Sequence, residues 1–283
     1  MTIAEAVRQA AERLAAAGVA DASLDAELLL RHVLGWDRAR LLAASREPLA
    51  DAPHAAYVAL VAERATRRPL QHITGTQAFW KHEFAVSPDV LIPRPETELL
   101  VETALERVLG VPAPVIVDVG TGTGCIAISI ALERPDASVL ALDISPAALA
   151  VARGNAQRLG AHNVAFAESD LLATARDRAG RVDLVVSNPP YVDPADRDAL
   201  MPEVRDHDPA LALFAPEGAA ALYERLARET VLVLKPGASL AVEIGQGMEG
   251  EVARRFGKAG LTVQGTRRDL QGITRVILAS RPA

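Results

Sequence analysis

The chain has 283 residues, half of them hydrophobic, enough to bury a sizeable core in one large domain or two. Its net charge of −6 opposes the phosphate contacts on which nucleic-acid binding rests, although a local basic patch can act within an acidic whole. The single cysteine, Cys125, excludes an internal disulfide or a Cys-rich zinc site and fits a reducing compartment. The apolar runs fall far short of the roughly 20 residues of a membrane helix, and no signal-peptide pattern opens the chain. A cytoplasmic protein without membrane attachment is expected.

The first seventy residues read as helices separated by short breaks. Ile3, Ala6, Val7, Ala10 and Leu14 recur at helical spacing up to Gly18. A second helix runs through SLDAELLLRHVLG, with Ser23 as its expected N-cap and Gly35 as its stop. Asp37 and Asp51 are the next N-cap candidates, and Pro53 stands at the start of a helix carrying Tyr57, Val58, Leu60 and Val61. Arg64, Arg67 and Arg68 at its end are read as compensating the helix dipole. From Leu70 the pattern turns to short extended runs around Gly75, with Phe79, Phe84 and Val86 among polar residues. Pro95 then opens a helix with Glu96 and Glu98 in its first turn and an apolar stripe of Leu99, Leu100, Ala104, Leu105 and Val108.

Past residue 113, apolar strands alternate with helices: PVIVDVG, CIAISIALERP, ASVLALDI, PAALAVARGNAQRLG and NVAFAESD. Strands that are apolar throughout imply a parallel sheet covered on both faces. RVDLVVSN, ASLAVEIG, a helix from about residue 247 and the final pair LTVQGTRRD and ITRVILAS complete the pattern. The histidines are scattered, and His207 in RDHDP reads as part of a solvated loop, so no metal site is expected.

The first of these strands runs into DVGTGTGC, with Gly120, Gly122 and Gly124 at alternate positions around Thr121 and Thr123. Glycines suit a sharp turn from strand to helix at which backbone must approach a ligand closely. Asp143 ends the next strand roughly 20 residues on, where an acid can accept hydrogen bonds from a ribose diol. Together they indicate an adenosine-type cofactor; the plain alternative is that Asp143 caps the helix starting at Pro146. Asp170 follows the third strand, where it could accept from an adenine amino group while Leu171 packs on the purine; a capped turn and a core leucine explain the pair nearly as well. Cys125 follows the glycine loop, but no histidine adjoins it to activate a thiolate, so it is read as a small buried residue.

The fourth strand delivers Asn188 to the same edge of the sheet, followed by Pro189, Pro190 and Tyr191. The prolines fix φ and donate nothing, so the carbonyls around them can be aimed at a ligand. An asparagine oxygen and a carbonyl beside it can accept both hydrogens of one planar NH2 group. The lone pair of such a nitrogen is delocalised, and a grip on both hydrogens favours its shift toward an electrophile as a proton leaves. Tyr191 offers a flat face for a planar group.

GTGTG, Asp143 and NPPY resemble the class I S-adenosyl-L-methionine-dependent methyltransferases that modify planar amino groups. The helical N-terminal segment, ITGTQAFW, VLIPRPETELL and SNPPYV together resemble the protein-(glutamine-N5) methyltransferase family, over nearly the whole chain. The resemblance implies an α/β fold: a mainly parallel, seven-stranded Rossmann-like sheet in residues 93–283, a β-hairpin linker in 73–92, and an N-terminal helical domain in 1–72. That domain would recognise the protein substrate or serve as a stabilising cap. The activity implied is methyl transfer from S-adenosyl-L-methionine, which leaves as S-adenosyl-L-homocysteine, to the Gly-Gly-Gln glutamine of class 1 peptide chain release factors. Gly120 to Gly124 would hold the methionine part of the cofactor, Asp143 its ribose, and Asp170 and Leu171 its adenine. Asn188 would bind the amide near the sulfonium, Pro189, Pro190 and Tyr191 would complete the pocket, and Arg94, Glu96 and Glu98 would border it. A monomer is expected. Two rivals are an amino-methyltransferase acting on a flipped nucleic-acid base, disfavoured by the acidity, and a cofactor-binding module without catalysis, which would have no use for an amine clamp.

Overall fold

In a computed structural model describing residues 1–283, the chain parts into two units, Met1–Thr76 with Leu200–His207, and Gln77–Ala199 with Asp208–Ala283. In the first unit, α1 (Ile3–Ala16) opens on a reciprocal cap: Thr2 Oγ1 accepts the Glu5 N–H and the Glu5 carboxylate accepts the Thr2 N–H, satisfying donors that a helix start leaves orphaned. It buries Ile3, Ala6, Ala10 and Leu14, the stripe its periodicity predicts. Next come α2 (Ala22–Leu34), α3 (Arg38–Ala43), α4 (Asp51–Ala65) and α5 (Leu70–Thr74). Gly35 ends α2 in the left-handed conformation and Asp37 caps α3, as expected.

Three local expectations are corrected. Asp21, not Ser23, precedes α2, and Ala50 precedes α4, so Ser23 and Asp51 are already helical. Leu70–Thr74 is a helical turn rather than an extended run. Pro69 before it and the left-handed Gly75 after it bracket one turn, and Leu70 is drawn into the helical core with Leu29, Leu30, Tyr57 and Val61. Arg64 does more than compensate a dipole. It is buried, its Nε donating to Asp25 at 2.7 Å and its Nη2 to Glu203 at 2.9 Å, while Arg67 takes the other oxygen of Glu203 at 2.6 Å.

The second unit begins at Gln77, within the first strand of the hairpin of β1 (Thr76–Phe79) and β2 (His82–Ala85), followed by a 3-10 turn at Pro95–Thr97 and α6 (Glu98–Arg107). Then β3 (Val115–Val119), α7 (Cys125–Glu133), β4 (Ser138–Asp143), α8 (Pro146–Leu159), β5 (Val164–Glu168) and β6 (Val182–Ser187) follow in turn. The short α9 (Pro202–Arg205) belongs to the first unit and α10 (Ala210–Leu213) to the second. After them come α11 (Ala219–Val233), β7 (Leu234–Glu243), α12 (Glu249–Lys258), β8 (Thr262–Arg268) and β9 (Thr274–Ser280). The seven strands lie in the order β5-β4-β3-β6-β7-β9-β8, with only β9 reversed against its neighbours.

Alternation along each strand sends Ile116, Val139, Ala141, Leu184 and Val186 to one face, against α6, α7 and the hairpin's Phe79 and Phe84. Val117, Val119, Leu142, Val185 and Leu240 go to the other, against α11 and α12. This is the two-sided burial expected of parallel strands. The order reverses direction beside β3, with β4 on one side and β6 on the other. Open α/β sheets bind ligands outside the carboxyl ends of strands at such a switch point. No helix is long and apolar enough to cross a membrane.

Candidate active site

A cavity of about 400 Å³ opens at that edge, and the loop after β3 forms its floor. Gly120 and Thr121 donate their N–H groups to the Leu142 carbonyl at 2.8 and 2.9 Å, and the Thr121 hydroxyl donates to Asp118 at 2.7 Å. Asp118, wholly buried, also accepts the Ala127 N–H at 3.2 Å and so ties loop to α7. Burial raises its pKa to about 7 against these two bonds. Gly122 and Gly124 have φ of 55° and 81°, values that side chains disfavour. At Gly124 a Cβ would also come within 2.7 Å of Ile128 Cδ1 and 3.2 Å of Ala152 Cβ. Gly120, Thr121, Gly122 and Thr123 line the cavity; Gly124 does not, and instead lets α7 start close to α8.

Asp143, at the end of β4, points its carboxylate into this loop. One oxygen accepts the Gly122 N–H at 2.8 Å and the other the Ser145 N–H at 2.9 Å. Burial pushes its pKa up, and those backbone donors oppose the rise. The cap of α8 is Ser145, so Asp143 is not the cap residue. Ile144 beside it lines the cavity with 49% of its surface exposed, an apolar platform the sequence reading passed over. Asp170 and Leu171 also line the cavity, but both carboxylate oxygens of Asp170 are held by Arg225 at 2.8 and 2.9 Å. Leu171 adopts φ 48°, a conformation a bulky residue takes only where its surroundings force it. Cys125 is buried, and that burial pushes its thiol up to about 12, so it is inert as a nucleophile.

Asn188, Pro189 and Pro190 reach the cavity from the end of β6. Asn188 Nδ2 donates to the Thr97 hydroxyl at 3.2 Å, and its Oδ1 takes no hydrogen bond from the protein. Tyr191 does not line the cavity. Its ring lies beside Gly245 against the core on that face of the sheet, and its hydroxyl donates to Glu243 Oε1 at 3.3 Å. Burial pushes the phenol pKa further up, keeping it protonated. Arg94 lines the rim and donates to the buried Asp208 at 2.7 Å; burial raises that carboxyl to about 6 despite the guanidinium. Glu98 accepts the Trp80 N–H at 2.7 Å and so anchors the hairpin rather than the cavity. Asn155 of α8 pins the hairpin too, accepting from the Ala85 N–H at 2.8 Å while its Nδ2 donates to the Ala85 and Thr123 carbonyls at 3.0 Å.

Residues 5–75 match the PrmC N-terminal domain family and residues 95–204 the methyltransferase small domain family. A release factor glutamine methyltransferase of Cereibacter sphaeroides is 43% identical over 100% of both chains. The chain belongs to the release factor glutamine methyltransferase family. A second member, from Geobacter sulfurreducens, is 42% identical over 93% of this chain and 91% of its own. The crystal structure of a methyltransferase from Pyrococcus furiosus, 16% identical, superposes with a TM-score of 0.50 over 71% of this chain and 89% of that one, a likeness of fold. As a member of this family the chain is an S-adenosyl-L-methionine-dependent methyltransferase. Its site fits that donor: a glycine-rich floor, a carboxylate with acceptor capacity left over, and the apolar surfaces of Ile144 and Leu171 share one cavity.

Proposed function

We propose that the chain transfers a methyl group from S-adenosyl-L-methionine to the side-chain amide nitrogen of the glutamine in the Gly-Gly-Gln motif of class 1 peptide chain release factors, thereby tuning translation termination. The observation that carries this reading is the state of Asn188, whose NH2 donates to Thr97 and whose Oδ1 is unclaimed in a residue that lines the cavity. An acceptor so placed suits a substrate that offers a planar NH2 group.

When bound, S-adenosyl-L-methionine supplies an electrophilic methyl group and leaves as S-adenosyl-L-homocysteine. Gly120, Thr121, Gly122 and Thr123 would border its methionine part, Asp143 would accept from its ribose, and Ile144, Leu171 and Asp170 would border its adenine. Gly124 acts beneath the floor, by allowing the loop to close. Asn188 Oδ1 and the carbonyl in the Pro189 region accept the two hydrogens of the glutamine amide, and the prolines hold that geometry. Gripped in this way, the nitrogen's lone pair would be turned toward the donor's methyl carbon, and the surplus amide proton would pass to bulk water as the methyl is transferred. Tyr191 supports the turn from beneath through Glu243 rather than stacking on the substrate. The helical first unit is assigned to release-factor recognition, and the protein to the cytoplasm as a monomer.

The test offers three acceptors with isotopically labelled donor: a purified release factor, the same factor with the Gly-Gly-Gln glutamine replaced, and DNA or RNA. Label is expected on the first alone and is expected to fall at least 100-fold with Asn188→Ala, in line with loss of one preorganised polar contact. Label on nucleic acid, or an undiminished Asn188→Ala rate, would overturn the reading.

A further inference from the structure

A glycine offers no side chain to a partner, so the two glycines before the acceptor glutamine can be held only through their backbone, chiefly by donors to their carbonyl oxygens. Such a donor has to line the cavity near the amide clamp without being spent on the protein itself. Two guanidinium groups line the cavity. Arg225 is spent: it holds both oxygens of Asp170 and reaches Glu217 at 3.2 Å. Arg94 is not, because the one acceptor its guanidinium has in the protein is Asp208, reached from Nη2.

We infer that Arg94 is a substrate-binding residue whose spare guanidinium N–H groups donate to backbone carbonyls of the glycines preceding the acceptor glutamine. This rests on the reading of the substrate as a Gly-Gly-Gln segment. Arg94 stands between Pro93 and Pro95, and a residue before proline is confined to extended backbone. Its φ of −98° and ψ of 141° are that conformation. Its far end is fixed by Asp208, whose side chain is wholly buried while that of Arg94 stays 37% exposed. Held at both ends, the fork loses little freedom on gripping a substrate. The Arg94 carbonyl accepts the Thr97 N–H at 3.1 Å, and the Thr97 hydroxyl meets Asn188 Nδ2 at 3.2 Å, so one 3-10 turn joins Arg94 to the residue assigned to the amide. Asp208 decides which ligand the fork suits. With its charge answered at 2.7 Å, the guanidinium draws an anion such as the donor's carboxylate weakly, whereas its N–H groups remain full donors to a neutral carbonyl.

Arg94→Lys separates this role from a structural one, since lysine keeps a cation for Asp208 but has no rigid fork. With release factor as acceptor, Arg94→Ala and Arg94→Lys are both expected to lower kcat/KM by roughly 10-fold or more, as for loss of hydrogen bonds from a charged group. Calorimetric affinity for S-adenosyl-L-homocysteine, which carries the donor's carboxylate, should be unchanged in both. The urea midpoint should fall in Arg94→Ala, which strands the buried Asp208, and recover in Arg94→Lys. Recovery of kcat/KM together with the midpoint in Arg94→Lys would mean that Arg94 serves only Asp208, and would overturn the inference. A loss of S-adenosyl-L-homocysteine affinity as large as the loss of kcat/KM would assign the fork to the donor and overturn it too. A wild-type enzyme that leaves release factors unmethylated defeats the functional reading and this inference with it; an active wild type matched by both variants defeats this inference alone.

Discussion

Asp143 Oδ2 accepts the Gly122 N–H across 2.8 Å, so the carboxylate assigned to the ribose also shapes the floor of the cofactor cavity. Removing it strips out both effects at once. Asp143→Ala is expected to weaken S-adenosyl-L-homocysteine binding by about 10- to 100-fold, the value of roughly 1.5–3 kcal/mol for hydrogen bonds to a charged group. Titration calorimetry checks this, and an unchanged affinity would remove Asp143 from the site.

Gly122 and Gly124 make different demands on their side-chain-free backbone. Gly124→Ala meets Ile128 Cδ1 at 2.7 Å and Ala152 Cβ at 3.2 Å at a φ of 81°, and is expected to destabilise the fold by about 2–4 kcal/mol. Gly122→Ala meets nothing within 4 Å, so only the left-handed backbone is strained, at about 1–2 kcal/mol; its larger effect should be on cofactor binding. Urea midpoints beside calorimetric affinities separate the two, and equal stability losses would contradict the packing account.

Much of this was legible in the chain because local rules act there unopposed. The alternation of strands and helices, the glycine turn and the acid at the end of β4 follow from apolar runs, φ > 0 chemistry and spacing. Asn188 could be singled out because two prolines after a buried strand have few other uses. Thr97, Glu243, Asp118 and Ile144 were not legible. A threonine in a helix start and acids within strands carry no local signal, and their partners lie far away in sequence, as Asn188 does from Thr97. The turn at Leu70–Thr74 was missed for a related reason: Leu70 is held by the helical core, a tertiary pull that outweighs the β-like pattern around it.

Glu243 has its pKa raised from 4.5 to about 7, first by burial, with Thr97, Tyr191 and Arg275 opposing and Glu96 assisting the rise. An acid with a raised folded-state pKa binds more protons native than unfolded, so its contribution to stability is greatest below pH 4.5 and is lost as pH climbs toward 7. Relative to Glu243→Gln, the wild type should lose on the order of 3 kcal/mol across that window. Denaturant unfolding of both proteins at several pH values measures it; parallel curves would show that Glu243 does not titrate there.

The first unit rests on a buried ion network, with Arg64 donating to Asp25 at 2.7 Å and Glu203 at 2.9 Å. Arg64→Ala leaves two carboxylates short of a partner and should cost about 3–5 kcal/mol. Arg68→Ala, at a side chain 37% exposed, should cost about 1 kcal/mol or less. Comparable losses by chemical denaturation would return Arg64 to the role of a mere helix-end charge.

The central claim is that a glutamine side-chain amide is the methyl acceptor, and peptide mass spectrometry of the product tests it most directly. Purified release factor is incubated with enzyme and S-adenosyl-L-methionine, digested and sequenced by fragmentation. The account predicts one added methyl group, confined to the Gly-Gly-Gln glutamine and absent with Asn188→Ala. A methyl group on any other residue, or none on a factor that the active enzyme has turned over, would contradict it.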